Sequence, residues 1–360
     1  MDKILSTNVG IIIPTMNRPD FIIRLLSYYA GLHSPHTLYI ADSSDEENAN
    51  RIKAKIASLE GKLRVIYSYF PPGDTMKCMM ALLSQTHEKY ACYMGDDDYM
   101  IPGALSECAE FLEKNPDYEL AIGHSISFHL DGGRAYGTLK DIHDYPRYSI
   151  EDNTASARLN TYLSTRYSPL VNCIIRTKNF LEAYEKSRLV DDIAVKTDYL
   201  PSCLLIISGK SKVIDRLCFV RQLHQSHYVL PDTFDWLTAK GWYRSYEPFR
   251  SLLVEKVAKT DGLSLNESEK VFKQAYLSHL IMLLSRTRRE QPGPAIKRSF
   301  ISRLRSKIAV TFPILKRIYR RTRAYLHNKP QLHYEVLQPD SKYYNDFLLI
   351  SSSFKANKLD

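Results

Sequence analysis

The chain has 360 residues, with 49 Lys and Arg against 40 Asp and Glu and a formal net charge of +9. Its apolar fraction of 44% is ordinary for a globular protein. No apolar run approaches the roughly 18 residues that a membrane-spanning helix needs. The apolar run at residues 9–13 is short and ends at Pro14, which is not a secretory pattern, so we expect a cytoplasmic protein. The six cysteines contain no Cys-x-x-Cys pair, so no zinc or redox motif is predicted.

The first part of the chain alternates between predicted strands and helices. Apolar runs rich in β-branched and aromatic residues predict strands at 9–13, 37–41, 63–69 and 90–94. Apolar residues at helical spacing predict helices at 20–29, 47–59 and 76–86, and Pro102 can open a fourth. This alternation is typical of α/β proteins whose mostly parallel sheet is flanked by helices.

The rest of the chain has a looser pattern. Strands are predicted at 120–128, 171–175, 212–214 and 217–220, and helices at 178–186, 197–208, 252–259 and 267–284. Residues 134–168 are polar and rich in tyrosine, so we expect an irregular, acceptor-binding loop there. The predicted division is a sheet domain at 1–230, a helical extension at 231–290, a basic amphipathic segment at 291–330 and a C-terminal tail at 331–360.

Three consecutive carboxylates, Asp96, Asp97 and Asp98, follow the strand predicted at 90–94. The carboxyl end of a strand is where open α/β sheets bind ligands. Adjacent acids repel one another, and a divalent hard cation held by carboxylates and substrate phosphates would relieve that repulsion. The alternative is a solvated acidic turn that caps the next helix. The position between a strand and a helix favours the cation site.

These motifs, taken in order, resemble glycosyltransferase family 2 over residues 8–225. The family's first strand ends in a motif matched here by Pro14-Thr15-Met16-Asn17-Arg18, and its second strand ends in an acid matched by Asp42. The family's acidic motif before a proline is matched by Gly95-Asp96-Asp97-Asp98 before Pro102, although Gly95 replaces its first acid. The resemblance implies the nucleotide-sugar-binding fold called GT-A, with a C-terminal helical appendage.

The resemblance also implies roles for single residues. The expected donor-binding residues are Pro14, Thr15, Asn17, Arg18, Asp42, Lys77, Asp96, Asp97, Arg221 and His224. Lys77 stands for a family arginine that pairs with the diphosphate, and Arg221 and His224 match a phosphate-contacting Arg-x-x-His. Asp97 and Asp98 are the expected ligands of Mn²⁺ or Mg²⁺. The family's count of 11 residues before a glycine, here Gly209, places the catalytic base at Asp198.

Asp198 has competing interpretations. A helix N-cap is a common role for aspartate, and the neighbouring Asp191 and Asp192 are rivals for the role of general base.

The function implied is an inverting, metal-dependent glycosyltransferase. It would move one sugar from a nucleoside-diphosphate donor, most commonly a UDP-sugar, to a glycan or a lipid-linked acceptor in bacterial surface polysaccharide or lipopolysaccharide assembly. The Gln-x-x-Arg-Trp element of processive synthases is absent, which favours single additions. A nucleotidyltransferase is the second hypothesis, but the loop at residues 14–18 lacks its glycines. A non-catalytic nucleotide-sugar or glycan-binding protein is the third.

Most of the positive charge lies in one segment. Residues 285–330 hold 14 Lys and Arg against one acid. Within residues 297–326, apolar side chains recur roughly every 3.5 residues among the basic ones, as in a helix that lies on an anionic membrane surface. A helix docked on protein fits equally well. The membrane interpretation would place the protein at the inner face of the plasma membrane. No nucleic-acid-binding module is recognisable, so nucleic acid is not an expected partner.

Overall fold

The computed structural model describes residues 8–73, 75–165, 167–224, 233–290 and 331–355. The strands within these ranges are β1 (Val9–Thr15), β2 (Thr37–Asp42), β3 (Val65–Tyr69), β4 (Tyr90–Tyr93), β5 (Tyr99–Met100), β6 (Tyr118–Leu130), β7 (Leu139–Asp144), β8 (Ile174–Arg176) and β9 (Lys210–Leu223). The helices are α1 (Pro19–Gly31), α2 (Glu46–Ala57), α3 (Thr75–Gln85), α4 (Pro102–Lys114), α5 (Ala155–Thr165), α6 (Thr177–Ser187), α7 (Leu200–Ser208), α8 (Thr233–Thr238), α9 (Lys240–Asp261), α10 (Leu265–Glu290), α11 (Leu332–Glu335) and α12 (Tyr344–Lys355).

The first four strands, β1 to β4, are parallel. β1 lies between β2 and β4, with Ile11 opposite both Leu38 and Cys92, and β3 pairs with the outer side of β2. Ile11, Ile12 and Ile13 are fully buried, as expected for a central strand covered on both faces. The carboxyl ends of β1, β2 and β4 therefore meet at one edge of the sheet.

The second part of the sheet mixes directions. β8 is antiparallel to both β4 and β6, whereas β9 runs parallel to β6. β5 and β7 are antiparallel to β9 and β6. The strand order is β3-β2-β1-β4-β8-β6-β9-β5, with β7 beside β6. This confirms the predicted α/β class, and it brings the end of β9 to the edge where β1 and β4 end.

Two sequence-based expectations need correction. The stretch at 134–168 is not an irregular loop throughout, because it contains β7 and α5. β7 is an edge strand with one pairing partner, so its polar composition hid it. On α5 the buried face includes Arg158, which interrupts the apolar stripe of Leu159 and Tyr162. The strands predicted at 212–214 and 217–220 form the single strand β9, with irregular register against β6.

The helices that follow β9 pack mainly on earlier helices. α10 contacts α5, and α9 contacts α7. α12 contacts α1, and its Phe354 ring stacks on Phe128 of β6 at 5.2 Å between centroids. The basic segment at 297–326 lies outside the described residues, so its role stays a prediction, as does the division into four units. Among the described residues, no helix has both the length and the apolar character needed to cross a bilayer.

Candidate functional site

The acidic triplet lies at the carboxyl edge of the sheet, directly after β4. The Thr15 hydroxyl, at the end of β1, donates a hydrogen bond of 2.7 Å to Asp96 Oδ2. Arg18, in the loop between β1 and α1, reaches Asp96 at 3.2 Å and Asp97 Oδ2 at 2.5 Å. The parallel pairing of β1 with β4 makes these contacts possible, because it puts both strand ends side by side. The structure thus brings Thr15 and Arg18, two of the predicted donor-binding residues, into contact with the acids.

The end of β9 completes this group. His224 Nε2 lies 2.8 Å from Asp97 Oδ2, and the buried imidazole stacks on Phe21 of α1 with centroids 5.2 Å apart. The backbone N–H of Gln222 donates to Asp98 Oδ1 at 3.1 Å. Two acids of the triplet are therefore held from across the sheet by residues more than a hundred positions later in the chain.

The surroundings of Gly95 explain why a glycine stands where the family's motif has its first acid. A Cβ atom at this position would lie 2.5 Å from Asp97 Oδ1 and 3.3 Å from Asp98 Oδ2. The two carboxylate oxygens therefore converge on the space that a side chain would fill. An acid at position 95 does not fit this arrangement, and the two later acids face one small region.

The triplet is buried, and burial controls its charge. Burial and the neighbouring Asp97 raise the pKa of Asp96 to about 7, against the opposing effect of Arg18. Burial and Asp97 also raise the pKa of Asp98, and Arg221 opposes this shift. Burial disfavours the charge on Arg221, but the carboxylates of Asp98 and Asp97 leave its pKa raised. A bound cation would offset the repulsion among these carboxylates and favour their ionised forms.

Asp198 lies in a single π-helical turn, residues Val195–Tyr199, just before α7. Its carboxylate accepts hydrogen bonds from the Tyr167 hydroxyl at 3.0 Å and the Ser202 hydroxyl at 3.3 Å. Burial raises the pKa of Asp198 to about 6, while these two bonds, Arg147 and Arg221 lower it. Arg221 therefore acts electrostatically on both Asp98 and Asp198. A π-turn is a frequent feature of functional sites.

The structure separates Asp198 from its alternatives. No side-chain cap is present at the starts of the π-turn and α7, among the described residues, so Asp198 is not the N-cap. Asp192 takes the structural role: it accepts from the Val195 N–H at 3.0 Å and from Trp236 Nε1 at 3.0 Å. Asp191 is exposed. Asp198 is partly buried, and its carboxylate has a raised pKa.

The remaining predicted donor-binding residues lie near the second strand or on α3. Asp42 is fully buried and accepts from the Ser44 N–H at 2.8 Å and the Tyr67 hydroxyl at 2.7 Å. Asp45, not Asp42, caps α2 through the Asn48 N–H. Asn17 has a positive φ of 54° and accepts from the Asp45 N–H.

The other two predicted donor-binding residues differ in their exposure. Pro14 is partly buried within β1, whereas Lys77 is exposed on α3. Lys77 stands outside the hydrogen-bonded group of described residues around the triplet.

The sequence analysis did not identify Arg24, a buried residue that holds the backbone of the triplet in place. Arg24 of α1 is 1% exposed, and its guanidinium donates to the backbone oxygens of Ala135 and Asp97 and to Gln222 Oε1. The Tyr99 ring lies 4.8 Å from it. An arginine beside the apolar stripe of an amphipathic helix ordinarily points to solvent, so the sequence carried no signal for this role.

The mixed α/β sheet and a match to a family model over part of the chain together indicate a glycosyltransferase with a GT-A type sheet. Residues 10–164 match the family described as glycosyl transferase family 2, which confirms the predicted resemblance over this span. The match covers fewer than half of the residues and ends before Asp198, Arg221 and His224. No curated protein sequence matches the chain significantly.

Solved structures show more distant likenesses. S. aureus TarS is 15% identical over 76% of this chain and 43% of its own, with a TM-score of 0.48. TarS 1–349 in complex with UDP is 14% identical over 75% and 70%, with a TM-score of 0.47. The complex with UDP-GlcNAc is 13% identical over 79% and 92%, with a TM-score of 0.44. The chain spans less than half of the first of these proteins.

Proposed function

We propose that this protein is an inverting, metal-dependent glycosyltransferase that moves one sugar from a nucleoside-diphosphate donor to an acceptor hydroxyl. A UDP-sugar is the donor that the family resemblance favours, and a glycan or lipid-linked acceptor of surface polysaccharide assembly is the acceptor. The observation that carries the proposal is the convergence of Asp97 Oδ1 and Asp98 Oδ2 over Gly95, at the sheet edge where Arg18 contacts Asp97. Arg221 adds a positive charge that acts on both Asp98 and Asp198. Such a cluster offers a place for a diphosphate beside a general base.

The triplet fits a divalent cation. Asp97 Oδ1 and Asp98 Oδ2 converge over Gly95, so two hard oxygen ligands face one small region. Mn²⁺ or Mg²⁺ bound there would neutralise the charge that develops on the departing diphosphate. Arg18 and Arg221 supply further positive charge for the phosphates, and Thr15 and Arg24 keep the triplet in place.

Asp198 would act as the general base. Its carboxylate accepts the proton of the acceptor hydroxyl as that oxygen attacks the anomeric carbon from the face opposite the diphosphate. The new carbon–oxygen bond forms while the bond to the diphosphate oxygen breaks, so the sugar's configuration inverts. Proton transfer of this kind contributes roughly 10²–10⁴-fold to the rate. The hydroxyls of Tyr167 and Ser202 hold the carboxylate in one orientation.

The test is a donor assay on the full chain. Release of UDP from a panel of UDP-sugars is measured with Mn²⁺, Mg²⁺ or a chelator, in parallel with donor binding. We expect metal-dependent UDP release that falls about 10²–10⁴-fold in Asp198→Asn with donor binding retained. Asp191→Asn, which changes an exposed neighbour, is the matched control and should behave as wild type. Release of pyrophosphate would instead indicate a nucleotidyltransferase, and binding without turnover in wild type would contradict catalysis.

A further inference from the structure

A second cluster of metal-ligating side chains lies away from the triplet, on the β6–β7 hairpin. His129 of β6 is directly opposite Asp141 of β7, and His143 is two residues further along β7, on the same face as Asp141. His129 Nδ1 lies 2.6 Å from Asp141 Oδ1, and His143 Nε2 lies 3.3 Å from the same oxygen. One ligand atom from each residue lies within 4.8 Å of the others.

This arrangement differs from the ordinary pairing of a histidine with a carboxylate. Such pairs occur elsewhere in the chain, between His124 and Asp215 at 3.2 Å and between His333 and Asp144 at 2.9 Å. At Asp141, a second imidazole joins the pair. Two imidazole nitrogens and one carboxylate oxygen therefore lie around one small region. A cation bound to both neutral rings and to the carboxylate would satisfy all three groups.

The donor set selects the kind of metal. Imidazole nitrogens suit zinc and its neighbours among the transition metals, whereas the oxygen ligands of the aspartate triplet suit Mg²⁺ and Mn²⁺. The side chains of His129, Asp141 and His143 are 38%, 40% and 58% exposed, so they can rotate to the spacing of a coordination shell. Three protein ligands leave one tetrahedral position open, as in zinc sites that admit water or substrate.

We propose that His129, Asp141 and His143 form a binding site for a divalent transition metal of the zinc class, separate from the aspartate triplet. The metal joins the edge strand β7 to β6 through side chains, in addition to the backbone ladder. A hydrogen bond joins His129 Nδ1 to Asp141 Oδ1, so metal binding through that nitrogen would displace its proton. Binding also stabilises the folded chain, because the unfolded chain does not present the three ligands together.

The site lies close to the proposed donor-binding region. Ser127 of β6 is opposite both His143 of β7 and Arg221 of β9. Alternation of side chains along the strands therefore puts the histidine cluster on the sheet face that carries Arg221. The proposal itself does not depend on the glycosyltransferase activity, since it rests on the three ligands alone.

The test is a zinc titration of the full chain without an affinity tag, using a competing fluorescent chelator and excess Mg²⁺ to occupy oxygen-only sites. We expect wild type to bind one equivalent more than His129→Ala or His143→Ala, or to bind it at least about tenfold more tightly, since loss of an outer-shell partner alone costs that much. Zinc should raise the unfolding temperature of wild type but not of these variants. Co²⁺ in place of zinc should give visible absorption bands that both variants lose.

His124→Ala and His333→Ala are the matched controls, because each removes a histidine that pairs with a carboxylate outside the three-residue cluster. Both should titrate as wild type. Asp141→Asn keeps the shape of the third ligand and tests its charge, and metal-free unfolding curves verify that each variant folds. Equal zinc binding by wild type, His129→Ala and His143→Ala would overturn the proposal, as would an equal loss in the two control variants.

Discussion

The Thr15 hydroxyl donates to Asp96 across 81 positions of sequence, at 2.7 Å, with both side chains nearly fully buried. The bond ties the end of β1 to the loop that follows β4. It holds Asp96 against the first strand and leaves Asp97 and Asp98 to face the space over Gly95. Three adjacent acids of identical type are thus given different surroundings, and these surroundings determine what each can bind.

The raised pKa of Asp198 predicts the pH dependence of the reaction. A general base works as its carboxylate, so activity should fall about tenfold for each pH unit below the pKa of about 6 and should level off above it. Besides burial, the groups that determine this value are Tyr167, Ser202, Arg147 and Arg221. The measurement is kcat/KM for the donor between pH 5 and 8. A flat profile over this range would contradict the assignment.

A variant of Tyr167 tests whether Asp198 is the group that titrates, because it should shift the pKa of this carboxylate. Its hydroxyl donates to Asp198 and favours the ionised form. Tyr167→Phe should therefore raise the pKa of Asp198 and move the acidic limb of the profile to higher pH, with the plateau reached later. Tyr145→Phe changes a tyrosine beside Arg221 and should leave the midpoint of the limb in place. Equal limbs in wild type and Tyr167→Phe would show that another group titrates.

Gly95→Ala should disturb the metal site without unfolding the protein. The added methyl group would lie 2.5 Å from Asp97 Oδ1, so the carboxylate must move away from Asp98. We expect the apparent affinity for Mn²⁺ in the donor assay to fall by roughly tenfold or more. Gly103→Ala is the matched control: its methyl group would meet only Arg216 Nη2 at 3.6 Å, and alanine favours helix α4 by up to about 1 kcal/mol. Unchanged Mn²⁺ dependence in Gly95→Ala would count against Asp97 as a ligand.

Arg24→Met should destabilise the fold. The substitution keeps the volume but leaves the oxygens of Ala135, Asp97 and Gln222 without their buried donor. Lost hydrogen bonds of this kind cost about 2–4 kcal/mol in the free energy of unfolding, measured by urea denaturation. Arg51→Ala removes an exposed ion pair with Asp20 and should change it by no more than about 1 kcal/mol. Equal effects of the two substitutions would rule out the supporting role of Arg24.

Local patterns predicted much of this architecture. The strands β1 to β4 and the helices between them were identifiable because their apolar runs are uninterrupted, and the acids after β4 could be assigned to a strand end. The contact of His224 with Asp97 could not be derived from spacing, since it depends on β9 pairing in parallel with β6. Arg24 and the strand β7 were missed for a related reason: their polar side chains are stabilised by partners far away in sequence. Such partners become visible only with the fold.

The return of α12 to the sheet has a consequence for any shortened form of this protein. The backbone N–H of Gly137 donates to the Phe354 carbonyl oxygen at 3.0 Å, and the Ser353 hydroxyl lies 2.8 Å from that of Tyr99. Deleting the last thirty residues or so would expose the Phe128 ring, which Phe354 now covers. It would also remove the hydrogen bond to Tyr99 of β5, the strand that directly follows the acids. A protein truncated at the basic segment should therefore be less stable and more prone to aggregate. The C-terminal residues 331–355 are needed for the intact fold.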